Sequence, residues 1–362
     1  MIRNAAKWTV VIPWLALLAL AGSWGRALPA VVVALVALLL AGAVLAAVHH
    51  AEVIAHRVGE PFGSLVLAVA VTVIEVALIV SLMISGGPQT ATLARDTVFA
   101  AVMITCNGIV GLSLLTVTLK RRIAGFNAEG TGKALATVAT LATLSLVLPT
   151  FTTSARGPAF SPGQLAFAAV VSLALYGLFV LTQTVRHRDY FLPVAVEGRP
   201  PSEEEHAPRP SARTALASLG LLLVALVSVV GLAKVESPVI ESAVSSAGLP
   251  QAVVGVVIAL LVLLPETIAA VRAARRDQVQ ISLNLALGSA MASIGLTIPA
   301  IAVASIWLEG PLLLGLGGTH MVLLALTVVV STLTVVPGRA TLLQSGVHLV
   351  LFAAFLFLAI SP

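Results

Sequence analysis

Long apolar runs, broken at intervals by charged residues or by Pro and Gly, fill the chain from end to end. Reading the runs between breaks predicts eleven spans, at about 8–24, 28–48, 61–85, 97–119, 134–151, 163–185, 214–233, 249–271, 279–307, 311–336 and 341–361. Each reaches the roughly 17–25 residues that an α-helix needs to cross a bilayer core. The ten-residue alternating segments of a membrane β-barrel do not occur. The predicted fold is therefore all-α: a polytopic membrane protein with about eleven transmembrane helices. The first run has a second reading as a signal peptide, with Arg3 and Lys7 ahead of the apolar stretch Trp8 to Ala21.

Composition narrows the class. Of 362 residues, 59% are hydrophobic and only 10% are charged, and the mean hydropathy is +1.08. Such a chain cannot present a water-facing surface, which excludes a soluble enzyme. The single cysteine, Cys106, excludes an intrachain disulfide, a Cys-rich zinc site and an iron–sulfur cluster. A net charge of +5 carries no implication of nucleic acid here, because basic residues in membrane proteins report orientation. With the N-terminus inside, sixteen of the twenty basic residues fall on inner segments. The outer four are Arg26, Arg95, Arg156 and Lys234, an asymmetry that supports both the span count and a cytoplasmic N-terminus.

The longest polar stretch, 186–213, contains Pro200-Pro201 and Glu203-Glu204-Glu205-His206 and reads as a cytoplasmic acidic linker. It divides the chain into an extra N-terminal helix (1–27), a first five-helix repeat (28–185) and a second (214–362). An odd number of spans per repeat forces the two into opposite orientations, the inverted repeat of many secondary transporters.

Of fifteen acidic residues, thirteen fall in loops or at membrane edges on this reading; Glu75 and Glu266 do not. A mid-span acid costs on the order of 2.5–3.5 kcal/mol on insertion scales and usually lines an ion or proton path. No basic residue stands mid-span as a partner for either. Each glutamate lies in the second span of its repeat, so an inverted two-fold would bring them together near the midplane. Pro265, just before Glu266, removes a backbone N–H and strains the preceding turn, freeing carbonyls beside the acid. Carboxylates, carbonyls and hydroxyls make the oxygen shell that Ca²⁺ or Na⁺ prefers.

The next span of each repeat opens alike, with Arg95-Asp96-Thr97-Val98 and Arg276-Asp277-Gln278-Val279. In that register Asn107-Gly108 aligns with Gly288-Ser289. Asn107, Asn284, Ser289 and Ser293 are candidate neutral ligands, with small residues letting another helix approach. The bland reading of the same residues is a packing stripe. Thr72, one turn from Glu75, Ser64, three turns from it, and Thr267, beside Glu266, are secondary candidates.

A carboxyl in low dielectric resists ionisation because the charge loses its solvation. Each glutamate then has two accessible states, protonated or ionised beside a cation, and the empty ionised state is disfavoured. Two glutamates are neutralised by one Ca²⁺, by two protons, or by one Na⁺ with one proton. Rocking one repeat against the other would carry either load. His49, His50, Glu52 and His56 cluster at an inner interface and could bind a transition metal or sense pH. His187 and His206 fall in the linker, and His320 and His348 near the last two spans. Trp8, Trp14, Trp24 and Trp307 suit interfacial anchors.

Two stretches, Arg57-Val-Gly-Glu60-Pro-Phe-Gly63-Ser64 through Val73-Ile-Glu75 and Leu264-Pro-Glu266 through Asn284-Leu-Ala-Leu-Gly288-Ser289, resemble the paired repeat motifs of the ChaA-type calcium/proton antiporters, within the cation/calcium exchanger superfamily. In the wider family a Gly-Asn pair precedes each glutamate; here Val71-Thr72 and Val262-Leu263 stand there. The resemblance implies cation binding at the two glutamates in an antiporter of a bacterial-type inner membrane. That antiporter would export Ca²⁺, Na⁺ or K⁺ against inward proton flow. The ions are cargo, and no cofactor is implied. A channel would need a ring of ligands around a continuous pore. An intramembrane enzyme would need a nucleophile–base set or a His-Glu-x-x-His, and neither occurs. A non-transporting scaffold leaves two costly acids without a purpose.

Overall fold

The computed structural model describes residues 2–26, 28–59, 62–192, 210–308 and 310–362. The first half of the chain contains α1 (Ile2–Ser23), α2 (Ala30–Val58), α3 (Phe62–Gly86), α4 (Leu93–Met103), α5 (Val110–Arg121), β1 (Ile123–Gly125), α6 (Ala128–Ala142), α7 (Leu148–Phe151) and α8 (Pro162–Leu181). Then follow α9 (Ala212–Ser246), α10 (Ala252–Val262), α11 (Leu264–Arg275), α12 (Val279–Ala304), α13 (Gly318–Val335), β2 (Arg339–Thr341) and α14 (Leu342–Ile360). Three π-helical segments, Ile104–Ile109, Thr143–Val147 and Thr182–Arg186, join α4 to α5, join α6 to α7, and end α8.

Among the described residues, nine continuous helical runs are long and apolar enough to cross a membrane, and α10 with α11, bent by 51°, makes a tenth. The protein is thus an all-α polytopic membrane protein. The apolar part of α1, Trp8–Ser23, belongs to the shorter class of 10–17 residues. Side chains of Arg3 and Lys7, and the acidic cluster Glu203 to Glu205 with His206, lie outside the described residues.

Several boundaries move. The second span, expected to end at residue 48, runs on to Val58, so His49 to His56 belong to the helix itself. The span expected to end at residue 233 continues as α9 to Ser246, across Lys234 and Glu236. Glu236 is therefore a further acid inside a helix, buried, with Oε1 unpartnered; the charge of nearby Lys234 had suggested a membrane edge. The start of the predicted span 311–336 is not helical. Rich in Gly and Pro, residues 311–317 run extended, and the N–H groups of Leu313, Gly315 and Leu316 donate to the carbonyls of Ala91, Pro158 and Leu146 at 3.1, 2.9 and 2.7 Å.

Burial sets the layers. Within an 18-residue apolar stretch of each, Leu93–Arg121 is 89% buried and Val279–Ala304 61%, against 22% for Pro162–Arg186, so α4–α5 and α12 form the centre. Helix α12 packs against α8, α6 and α3, while α5 packs against α14 and α11, and α4 against α10. Outside these, α2 lies along α9, with α1 across both. The ends of α5, α8 and α11 share one face with the starts of α6, α12 and α14. There β1 pairs antiparallel with β2, Ile123 opposite Thr341, and Arg121 forms a two-pronged ion pair with Asp277 at 2.8–2.9 Å. This face, where the chain leaves α8 for the linker, is called the linker side below.

The α4–α10 crossing depends on a missing side chain. A Cβ on Gly255 would stand 2.9 Å from the Thr97 nitrogen and 3.0 Å from the Asp96 carbonyl carbon, both of them backbone. Gly255→Ala is expected to push the helices apart and cost about 1–3 kcal/mol. Gly220→Ala, where a Cβ meets nothing within 4 Å, is expected to be neutral or slightly stabilising. Melting midpoints in detergent check the contrast, and equal midpoints would refute it.

Candidate functional site

A helix that crosses a bilayer uses its own backbone hydrogen bonds, so only side chains and broken turns can offer polar atoms to the interior. Helix α3 stays unbroken and places Glu75 in its middle, 2% exposed. The second acid is presented differently. Pro265 interrupts the ladder at Leu263, and Glu266 falls in the first turn of α11, where the helix N-terminus favours negative charge.

Both carboxyls line one cavity of about 120 Å³. A single water needs roughly 10–15 Å³ by this measure, so the space admits several water-sized species. Its walls are Leu67 to Glu75 of α3, Tyr176 to Gln183 at the end of α8, Glu266, and Asn284 to Ser293 of α12. Most of these wall residues lie in the linker-side halves of their helices, with Glu75, Ala292 and Ser293 near the middle of α3 and α12 and Glu266 in the first turn of α11. From the glutamates, then, the cavity runs toward the linker side.

The hydrogen bonds around the acids are few. Ser293 Oγ donates to Glu75 Oε2 at 2.9 Å. Glu75 Oε1 and Glu266 Oε2 are buried without a partner, and so is the hydroxyl of Thr297, one turn beyond Ser293. Ion pairs among the described residues join Arg95 to Asp96, Arg121 to Asp277 and Lys133 to Glu129, and none touches Glu75 or Glu266. Leaving a buried charged acceptor unpaired costs more than the 1–3 kcal/mol of a neutral one. The cavity therefore attracts cations or protons.

The structure gathers most of the residues read from the sequence. Thr72, Asn284, Ser289 and Ser293 line the cavity with Glu75 and Glu266. A Cβ on Gly288 would meet nothing within 4 Å, so the α12 backbone is open to the space. Thr267 is turned away, donating to the Leu263 carbonyl at 2.7 Å. The side chain of Ser64 lies outside the described residues. Gln183 and Tyr176 also line the cavity and were not anticipated. Gln183 had a weak signal, an amide inside an apolar run, whereas Tyr176 had none.

Asn107 goes elsewhere. Its matched position in α12 lies in regular helix, but Asn107 sits in a π-helical segment, whose extra residue per turn rotates the side chain out of register. The Asn107 amide donates to Thr327 Oγ1 at 2.9 Å, and its Oδ1 lies 3.1 Å from His348 Nδ1. With the NH₂ committed to Thr327, Oδ1 must accept, so His348 carries its proton on Nδ1. Nε2 is then free to accept from Thr334 Oγ1 at 3.2 Å. His348 is thus a buried mid-helix imidazole bonded to amide and hydroxyl, and it contacts neither glutamate.

Of the α2 histidines, His49 and His50 meet edge to face at 5.5 Å between ring centres. His50 is buried and bonded to the Thr9 carbonyl at 3.0 Å and the Ser218 hydroxyl at 3.3 Å, tying α1, α2 and α9 together. Among the described residues no group of three or more His, Cys, Asp or Glu is arranged to hold a metal ion. Glu52 instead lies within electrostatic reach of Glu266, His56 and Arg272.

The sequence profile of the family described as sodium/calcium exchanger protein matches residues 28–185 and 217–361. A protein named for ionic transport, y4hA of Sinorhizobium fredii, is 47% identical over 358 residues, covering 98% of this chain and 96% of that one. The sodium-potassium/proton antiporter ChaA of Escherichia coli is 36% identical over 353 residues, covering 96% and 94%. Among solved structures, the H⁺/Ca²⁺ exchanger CAX superposes with a TM-score of 0.70 at 17% identity, covering 98% of this chain and 88% of that one, a likeness of fold.

The Asn107 network generates a prediction. Asn107→Ala strips His348 Nδ1 and Thr327 of their partner in a buried setting, and a loss of roughly 1–3 kcal/mol is expected. A melting midpoint unchanged from wild type would show that the network does not hold α14 to the α4–α5 segment.

Proposed function

The chain belongs to the sodium/calcium exchanger protein family, and from that premise we propose that it is a secondary active cation/proton antiporter, not an enzyme. Its cation site is the Glu75–Glu266 pair. One observation carries the reading: two acids from different halves of the chain share a buried cavity, each with an oxygen that no protein group satisfies. A charge of −2 there is balanced by one Ca²⁺, by two protons, or by one Na⁺ or K⁺ with one proton. The empty ionised site is the state that low dielectric disfavours, so cation release must be coupled to proton uptake.

Around the carboxylates, Ser293, Ser289, Thr72, Asn284 and Gln183 supply neutral oxygens. Ca²⁺ takes six to eight oxygens, more than two carboxylates provide, so these and water complete its shell. Ca²⁺ is the proposed main cargo, with Na⁺ and K⁺ as alternatives suggested by the name of the ChaA relative.

The proposed transport cycle is alternating access by two inverted repeats, 28–185 and 214–362, with α1 as an extra helix. The packing supports it. Helix α12 meets α8 as α5 meets α14, α3 meets α12 as α10 meets α4, and α2 meets its counterpart α9. Two equivalent crossings also close on glycine, Gly295 against Tyr176 and Gly111 against Leu349. The cavity runs from the middle of α3 and α12 toward the linker side, which favours alternating access over a continuous pore. Since 16 of 20 basic residues fall on that side in the span reading, the linker and N-terminus are taken as cytoplasmic, in a bacterial-type inner membrane.

The test is cation-dependent proton movement in proteoliposomes, comparing Ca²⁺, Na⁺ and K⁺. Glu75→Gln and Glu266→Gln are each expected to abolish exchange while the protein remains folded. Protons and cations compete for the same carboxylates, so acidification fills the site. The half-saturating cation concentration should therefore rise as pH falls, by up to about tenfold per unit for each proton displaced, and level off once the pair is fully ionised. Wild-type exchange by both variants would overturn the site.

A further inference from the structure

At the linker-side lip of the cavity a short chain of amides has its direction set by the backbone. The Asn127 N–H donates to Gln280 Oε1 at 2.7 Å, which fixes that atom as oxygen. Gln280 Nε2 must then donate, and it does so to Asn284 Oδ1 at 2.9 Å and Thr131 Oγ1 at 3.3 Å. Asn284 Nδ2 in turn donates to the Phe191 carbonyl at 2.7 Å. A backbone donor stands at one end and a backbone acceptor at the other. Turning the Asn284 amide over would set NH₂ against NH₂ and oxygen against oxygen. Gln280, at the centre of the chain, is 1% exposed.

The acceptor belongs to a strap, Arg188–Phe191, the first part of the linker. Phe191 is buried edge-on against Phe179, a cavity wall residue, with ring centroids 5.7 Å apart. Tyr190 stacks on His187 at 5.1 Å, and Lys133 Nζ, paired with Glu129, stands 4.0 Å from the centre of the Tyr190 ring. The strap lies so close to α6 that a Cβ on Gly130 would come within 2.2 Å of the Tyr190 carbonyl oxygen.

We infer that Gln280 is a positioning residue which, together with the strap carbonyl of Phe191, locks the orientation of the Asn284 amide at the lip of the cation site, so that the linker controls cation access through the strap. A carboxylate presents oxygen whichever way it turns. A primary amide does not: its NH₂ repels an approaching cation and its oxygen attracts one. Fixing the amide thus fixes the sign of the dipole that a cation meets on its way to Glu75 and Glu266. This rests on the reading of that pair as the cation site.

Two variants approach the lock from opposite ends without touching Asn284 or the cavity. Gly130→Ala displaces the strap, and Gln280→Leu removes the other partner. Both are expected to raise the cation KM at the linker face five- to tenfold, with the maximal rate within twofold of wild type and the pH dependence of exchange unmoved. The double variant should add nothing further. In hydrogen–deuterium exchange, the peptide covering 187–192 should exchange at least tenfold faster in Gly130→Ala. A wild-type KM in Gly130→Ala despite a loosened strap would overturn the inference, as would a fall in maximal rate without a change in KM in Gln280→Leu. Loss of the antiport reading itself would show separately, as wild-type protein that moves no protons in response to cations.

Discussion

Everything in this structure answers to the cost of a carboxylate oxygen that has neither a donor nor a cation inside a membrane. Glu75 accepts one bond from Ser293 and Glu266 stands at a helix start, and both keep a buried oxygen open. Had the protein placed an arginine or lysine beside them, the pair would be a salt bridge, stable and inert. Instead the missing positive charge has to arrive from solution. The features around the acids serve that end: the break at Pro265 exposes Glu266, the bare backbone at Gly288 leaves room, and the cavity extends to one side only. On the proposed reading, the same cost enforces coupling, because a site that cannot be left empty and charged cannot return without a proton load.

The two halves meet this constraint unequally. Helix α12 is regular, and its residues Asn284, Ser289 and Ser293 all line the cavity. The α4–α5 run, with a matching sequence start, contains a π-helical segment that swings Asn107 toward α13 and α14. One half offers ligands to the cavity, and the other spends its equivalent polar residue on a buried tie to His348 and Thr327. On the proposed reading a moving pair of repeats needs a rigid reference, and the most deeply buried span among the described residues, Leu93–Arg121, carries that tie.

The legible and illegible parts of the sequence separate along energetic lines. Spans were readable because the hydrocarbon core demands a fixed length of apolar helix, and Glu75 and Glu266 because a mid-span acid is too costly to occur without cause. Glu236 escaped because Lys234, two residues earlier, imitated a membrane edge. The π-helical turn at Asn107 left no mark, since one extra residue in a turn changes direction without changing composition. Gln183 offered only a weak signal, an amide in an apolar run, while Gln280 and Tyr176 went unseen because nothing in their sequence surroundings marks them. Residues 311–317 read as membrane-spanning on hydropathy alone, although their Gly and Pro content suits the extended segment found there.

Charge balance alone does not choose a cation. The glutamate pair is neutralised equally well by one divalent ion or by one monovalent ion and a proton, so the choice passes to the neutral groups. Two carboxylates bring at most four oxygens, enough to hold a monovalent ion with waters but short of the six to eight that Ca²⁺ requires. The remaining oxygens are the hydroxyls and amides of α3, α8 and α12, groups whose value depends on how firmly they point. A serine hydroxyl bonded to Glu75 is already oriented, and an asparagine amide locked between Gln280 and the Phe191 carbonyl is oriented by backbone at both ends. On the proposed reading, binding strength thus resides in the acids that the membrane makes expensive, and discrimination in the neutral groups, whose orientation the linker side of the fold would set.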